Sequence, residues 1–583
     1  MRRLILTISA LLVTLSVAAQ VEREVEVTKQ YVPKLPPARK MDFQPDMVDT
    51  VSIRPEIDYT IVPKSFASAL STEKIRPAKV TYWEYTKNYP IYIKAGVGYP
   101  LVSEVDAYAS TNRADVGYLS AYINHRGSYS DIKTFNPISA EEWLGKAHQM
   151  SNRIGVNGGK YIGRYTFNGD IYYDADIFHR YAQPKSDDAI DEVNYENIAL
   201  AMSFGDSFAD MSKVNFNIYA AADYYNDKSE QLPDLERKMQ QFNATAGLKL
   251  GRNIGTKARI YATFDYQGSF GMKYIKQNSN NIISGSVAYE HNINKSIDIR
   301  ASIKYSHDKI ANQKSRHHIL PNVYVGFNVA QKDTFVPYIE FDSRLERNTY
   351  QHLQQANPYI LLRGAEYQAV PNTTIYNLRA GFTGHTTNNK LSYRLNANAA
   401  FMSNALYWIN VDNIGFDVTT AAQNIITLNA SLEYKPLSTL MFGAGFKWML
   451  YDENFADIEN GKPNFEANLN IQYTHHKFAV GAKADIIGSR SWSFAGNYFE
   501  GDVRDNYTLH SYTYPVCVDL GLTFDWFVAK QCTIYIEGRN LANSKIYDFA
   551  LYRRLGIGAV AGIKVQFYKA VSTILISVSS NSV

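Results

Sequence analysis

Between Arg164 and Ile177 the chain reads RYTFNGDIYYDADI, and its odd and even positions carry opposite chemistry. Tyr165, Phe167, Gly169, Ile171, Tyr173, Ala175 and Ile177 form one series; Arg164, Thr166, Asn168, Asp170, Tyr172, Asp174 and Asp176 form the other. A helix would scatter both series around its circumference, whereas a strand sends successive side chains to opposite faces. The stretch is therefore a strand with one apolar and one polar face. It is also long enough to cross a hydrocarbon layer, which takes ~9–11 residues of tilted strand.

The same split recurs in both directions. Val214, Phe216, Ile218, Ala220, Ala222 and Tyr224 oppose Asn215, Asn217, Tyr219, Ala221, Asp223 and Tyr225. Ile297, Ile299, Ala301, Ile303 and Tyr305 oppose Asp298, Arg300, Ser302, Lys304 and Ser306, and Phe465 to Tyr473 repeats the pattern. Soluble sandwiches also alternate, so alternation alone does not choose between water and membrane. The choice comes from the aromatic residues that end the apolar series (Tyr99, Tyr224, Tyr266, Tyr289, Tyr305, Tyr473, Trp526) and from polar faces that carry charge along whole strands. Both features fit an aromatic girdle and a wet bore. The expected fold is all-β: a transmembrane antiparallel β-barrel over residues 91–567, closed so that every backbone group crossing lipid is paired. Those 477 residues, divided by roughly 40–48 per hairpin, give about 22 strands. Long loops are expected at Gly127 to Lys146, Arg180 to Glu192 and Ser489 to Tyr514.

Composition narrows the partners. Lys+Arg exceed Asp+Glu by 60 − 56 = 4, too small an excess for a nucleic-acid partner. With 44 Tyr among 583 residues, the chain favours a side chain that joins an apolar ring to a polar tip, as a water–lipid boundary asks. Met1 to Ala19 reads as a signal peptide (residues 1–19), with Arg2 and Arg3 before an apolar run and a cleavage point between Ala19 and Gln20. Residues 20–90 read as a proline-rich extended arm, because Pro33, Pro36, Pro37, Pro45, Pro55, Pro63 and Pro77 remove backbone donors. Its opening, Val21 to Thr28, alternates valine with charge and could add a strand to a partner. Residues 568–583 are a C-terminal extension.

The last hundred or so residues resemble the barrel end of TonB-dependent outer-membrane receptors, and the style of the chain resembles the receptors of Bacteroidota. The likeness rests on Gly461-Lys462-Pro463 before a strand, Val518-Asp519-Leu520 opening another, Asn540-Leu541-Ala542-Asn543 with Tyr547, and the terminal Gly562 to Phe567. The resemblance implies a receptor barrel in the outer membrane, closed by a terminal strand in which Gly562, Ile563, Val565 and Phe567 take part. It also implies lipid and the barrel assembly machinery as partners. In that family a globular plug precedes the barrel, and Gln20 to Pro90 is too short and too proline-rich to be one. Glu24 to Thr28 only vaguely resembles the short box such receptors offer to TonB.

No catalytic, cofactor or metal site is expected. His317-His318 and His475-His476 suggest a metal, but neighbours on a strand point to opposite faces and cannot converge on one ion, so ordinary loop or hairpin positions are the expected reading. Gly96 and Gly98 alternate with Ala95, Val97 and Tyr99 inside a strand and are not a phosphate loop. Cys517 and Cys532 fall on neighbouring strand segments and could either pair or remain free thiols. The expected role is non-enzymatic: solute transport, or a pore or receptor role through a polar lumen. The alternative is a non-conducting barrel subunit of an outer-membrane assembly, docking a periplasmic or lipoprotein partner through its arm.

Overall fold

The computed structural model describes residues 90–567, apart from 114–115, 184–191, 230–238, 294–295, 330–332, 362–368, 412–414, 453–459 and 497–507. The expected signal peptide, all of the arm but Pro90, and the C-terminal extension lie outside the described residues. Among the described residues, 22 antiparallel strands form one closed ring from Ile91–Tyr99 to Gly558–Phe567. The last strand pairs with the first along its length, with Ile563 opposite Ala95, Val565 opposite Ile93 and Phe567 opposite Ile91. Because the ring has no edge, every strand finds two neighbours, which is the condition for crossing hydrocarbon.

The distribution of side chains is the inverse of a soluble protein's. Ile93, Ile123, Ile171, Ile218, Phe264, Ile303 and Ile471 stand exposed on the outer wall. Lys94, Glu104, Asp106, Asn124, Asn168 and Asn243 are buried on the inner one. Successive residues of a strand face opposite ways, so the alternation read from the sequence becomes lipid face and bore face around the whole ring. A ring of this strand number is about 40 Å across, too wide for side chains to fill.

The two rims differ. At one, which carries both ends of the ring, strands join through short connections such as 163–164, 438–439 and 530–531. At the other, several connections are long and partly structured, although Tyr99 and Val102 are joined there through 100–101 alone. The loop expected from Gly127 runs instead over residues 129–148, because Gly127 and Ser128 still pair with Ser103 and Val102. It carries its own hairpin, Asp131–Asn136 with Glu141–Lys146. The stretch expected as the loop Ser489 to Tyr514 is largely a second hairpin, Arg490–Gly496 with Thr508–Tyr514. That hairpin leans on the extended tip of Leu391–Val411, with Phe494 beside Asn410. Glu192, placed at the end of the loop from Arg180, already belongs to the strand Glu192–Asp206. Two long connections had no sequence signal strong enough to mark them: 540–557, and 347–372 with the short helix Tyr350–Ala356, capped by the Thr349 hydroxyl accepting from the His352 backbone N–H.

The structure decides the open alternative at the cysteines and places the second histidine pair in a hairpin turn. Cys517 and Cys532 do lie on neighbouring strands, but Cys532 faces Ala529 at the short-turn end while Cys517 faces Ile487 at the long-loop end. Twelve residues of strand rise separate those levels by roughly 40 Å, so the thiols cannot pair and both are free. His475 and His476 sit in the turn after Phe465–Thr474, not on a strand, and their rings come within 3.9 Å centroid to centroid. The divergence of strand neighbours therefore does not apply to them.

Candidate functional site

The inner wall is built from paired charges and tyrosines. Glu104 lies at its seam, where the last strand meets the first. Its carboxylate faces the Lys94 ammonium at 2.7 Å, accepts from the Tyr535 hydroxyl at 2.6 Å and from the Arg539 guanidinium at 2.8 Å. Tyr535 must cross two strands to reach it. It passes over Gly562 and Gly96, where a Cβ at either position would fall well inside contact distance of its hydroxyl. Lys94 and Lys564 hold their ammonium groups 4.7 and 5.2 Å from the centre of the same ring, and Lys564 also pairs with Asp525 at 2.8 Å. The glycines noted at 96 and 562 thus clear a path for an aromatic strut that ties four strands together.

Further round the bore, cross-strand pairing continues. Asp106 meets Arg126 at 2.7 Å, Asp174 meets Arg153 at 2.5 Å, and Glu340 meets Arg379 at 2.7 Å. Tyr92, Tyr108 and Tyr122 occupy directly opposed positions on three consecutive strands, their rings 6.1 and 6.5 Å apart. Near the short-turn rim a cleft of about 700 Å³ is lined by Asp298, Asn328, Arg394, Glu433, Asn468 and Asn470, among others. The wall therefore offers hydroxyls, amides and fixed ion pairs, which suit a hydrated polar solute better than an apolar one.

The long-loop rim is different in kind. Three of its loops meet at three tyrosines: Tyr181 and Tyr552 at 5.1 Å, Tyr181 and Tyr359 at 6.2 Å, and Tyr359 stacked on Tyr552 at 3.4 Å between ring centres. The loops that carry them leave the ring eight, eight and six strands apart. Loops rooted so evenly around a circle can touch only over its middle, so the contact bridges the mouth of the bore. Phe416, Trp492, Phe549 and Leu551 extend the cluster. Backbone carbonyls fasten it, with the Tyr181 hydroxyl donating to the Arg553 carbonyl at 2.8 Å. Burial pushes the Tyr181, Tyr359 and Tyr552 hydroxyls above their ordinary range, so the hub carries no phenolate at neutral pH.

At the edge of this lid lies Lys462, from the Gly-Lys-Pro motif. Its ammonium donates to the Gln423 side-chain oxygen and lies 5.7 and 5.9 Å from the Tyr407 and Tyr451 rings. Burial pushes its pKa down to about 8. Of the paired histidines, His318 points into the wall against Asp308 at 3.0 Å while His317 points outward.

No family model matches the sequence, and no curated protein is similar to it. Its structure does have solved relatives in shape. The siderophore receptor PirA from Acinetobacter baumannii is similar over 82% of this chain and 80% of its own, with a TM-score of 0.63 and 14% identity. The ferric enterobactin receptor PfeA from Pseudomonas aeruginosa is similar over the same shares, with a TM-score of 0.63 and 10% identity. The FrpB iron transporter from Neisseria meningitidis is similar over 83% and 82%, with a TM-score of 0.62 and 10% identity. The described body of the chain has the 22-stranded barrel fold of TonB-dependent outer-membrane receptors.

Proposed function

We propose that the chain serves in the outer membrane as a transporter-type barrel, passing or binding polar solutes through its bore, with the tyrosine hub as its gate. One observation carries this reading: Tyr181, Tyr359 and Tyr552 meet over a bore walled by ion pairs, amides and tyrosines. In outer-membrane barrels the long loops face outside, so the hub would close the external mouth. The role is non-enzymatic. Residues 1–19 would serve export and be removed between Ala19 and Gln20. The strand carrying Gly562, Ile563, Val565 and Phe567 would close the ring as the assembly machinery delivers it to lipid.

The same seal supports a second reading, in which the barrel never conducts and residues 20–90 dock a periplasmic or lipoprotein partner. Conductance in planar bilayers separates the two. Wild-type protein should be mostly silent, and a folded Tyr359→Ala, Tyr552→Ala double variant should conduct steadily. A silent double variant favours the docking role. Steady current through the wild type removes the hub as a gate.

A further inference from the structure

His317 has a histidine beside it in sequence and another opposite it in space. Its sequence neighbour, His318, turns to the inner wall and is held there by Asp308 and the Thr374 hydroxyl. Its spatial neighbour is His307, directly across the strand pair Ile297–Ile310 and Arg316–Phe327. Both imidazoles point outward, their rings 4.7 Å apart and their Nδ1 atoms 3.4 Å apart. The Tyr305 hydroxyl approaches the same Nδ1 of His317 at 2.6 Å. Along this face the apolar series Ile299, Ala301, Ile303 ends at Tyr305 and gives way to His307 and Lys309. The pair thus stands on the watery side of the aromatic girdle, one step from the loop rim, and His317 is exposed.

The geometry points to a surface site for a borderline divalent metal ion, Zn²⁺ or Cu²⁺, held by Nδ1 of His307 and Nδ1 of His317. At 3.4 Å the two nitrogens lie at the long end of hydrogen-bond distance. Two nitrogens on a tetrahedral ion at ~2.0–2.1 Å would lie ~3.3–3.4 Å apart. That is the spacing present. Imidazole nitrogen suits Zn²⁺ and Cu²⁺ over Mg²⁺ or Ca²⁺; the Tyr305 hydroxyl, which hydrogen-bonds the same Nδ1, would turn aside for the ion, and water would fill the remaining positions. Among the described residues no three His, Cys, Asp or Glu side chains converge, so the site is a two-imidazole site with open positions and exchangeable metal. It owes nothing to the lumen or to the transport reading.

Titration of the full, tag-free chain, folded in detergent micelles, with Cu²⁺ chloride tests this, followed by electron paramagnetic resonance and calorimetry. The expected result is one ion per chain with coupling to two imidazole nitrogens. Loss of an outer-shell partner already weakens metal sites ~10–100-fold, so His307→Gln or His317→Gln should weaken binding by at least about tenfold. His318→Gln should leave it unchanged. Heat-shifted gel mobility confirms that each variant is folded. Equal copper binding by wild type and His307→Gln, or a wild-type spectrum without coupling to two nitrogens, overturns the assignment. Retention in His317→Gln with loss in a His475→Gln, His476→Gln double variant would overturn it too, by moving the ion to the turn.

Discussion

At Glu104 one carboxylate, 3% exposed, answers two cations and a phenol. Replacing it by Gln leaves Lys94 buried without its counter-charge, and breaking a buried pair in this way costs ~3–5 kcal/mol. Tyr535→Phe removes one hydrogen bond to a charged acceptor, ~1–3 kcal/mol, and keeps the ring that the lysines overlie. Urea unfolding in lipid vesicles should therefore rank Glu104→Gln as the more damaging change; equal or reversed order would show that the charge is not what the seam depends on. Gly96→Val should harm the barrel more than Tyr535→Phe, because its side chain takes the space of the Tyr535 hydroxyl. Gly96 and Gly562 were readable as strand positions from alternation. Their reason was not, since the tyrosine that needs them arrives from another strand, and a period of two carries no information about cross-strand neighbours. His317 shows the same limit: the strand rule separates it correctly from His318 but cannot name His307.

Among the elements, the lid depends on loops whose sequences have no period to read. Aromatic residues in 540–557 and 347–372 look like any loop residues until the ring places their roots around a circle, and so the hub at Tyr181, Tyr359 and Tyr552 was illegible while the strands were plain. Lys462 gives this element a pH dependence. The unfolded chain binds the lysine proton with its ordinary pKa of 10.5, and the folded chain only with about 8. The folded state is therefore penalised in full below pH 8, and the penalty lifts as pH rises from 8 toward 10.5. Between pH 7 and 9.5 the wild type should gain resistance to unfolding relative to Lys462→Met, which lacks the titrating group. Thermal unfolding of both proteins at the two pH values reads the difference, and parallel changes would show that the ammonium is not buried in the folded lid.

The molecule as a whole inverts the usual arrangement, and one strand is enough to test it. On Glu192–Asp206 the side chain of Leu200 stands outward, 41% exposed, near the strand's middle. Its successor Ala201 faces the bore opposite Asp170, one of whose carboxylate oxygens accepts no hydrogen bond among the described residues. Residue number distinguishes the two positions by one; the barrel separates them by the thickness of its wall. If the outer face meets hydrocarbon, Leu200→Arg places a guanidinium near the bilayer midplane at a cost of ~2–4 kcal/mol, whereas Ala201→Arg puts it in water beside a carboxylate at little or no cost. Refolding into lipid vesicles followed by urea titration measures both. A soluble sandwich of the same strands would show the reverse, since its inward face would be the dry one and its outward face would accept arginine freely. Equal penalties at the two positions would leave neither face as the lipid face, and with it would go the bore, the gate and the paired charges that line them.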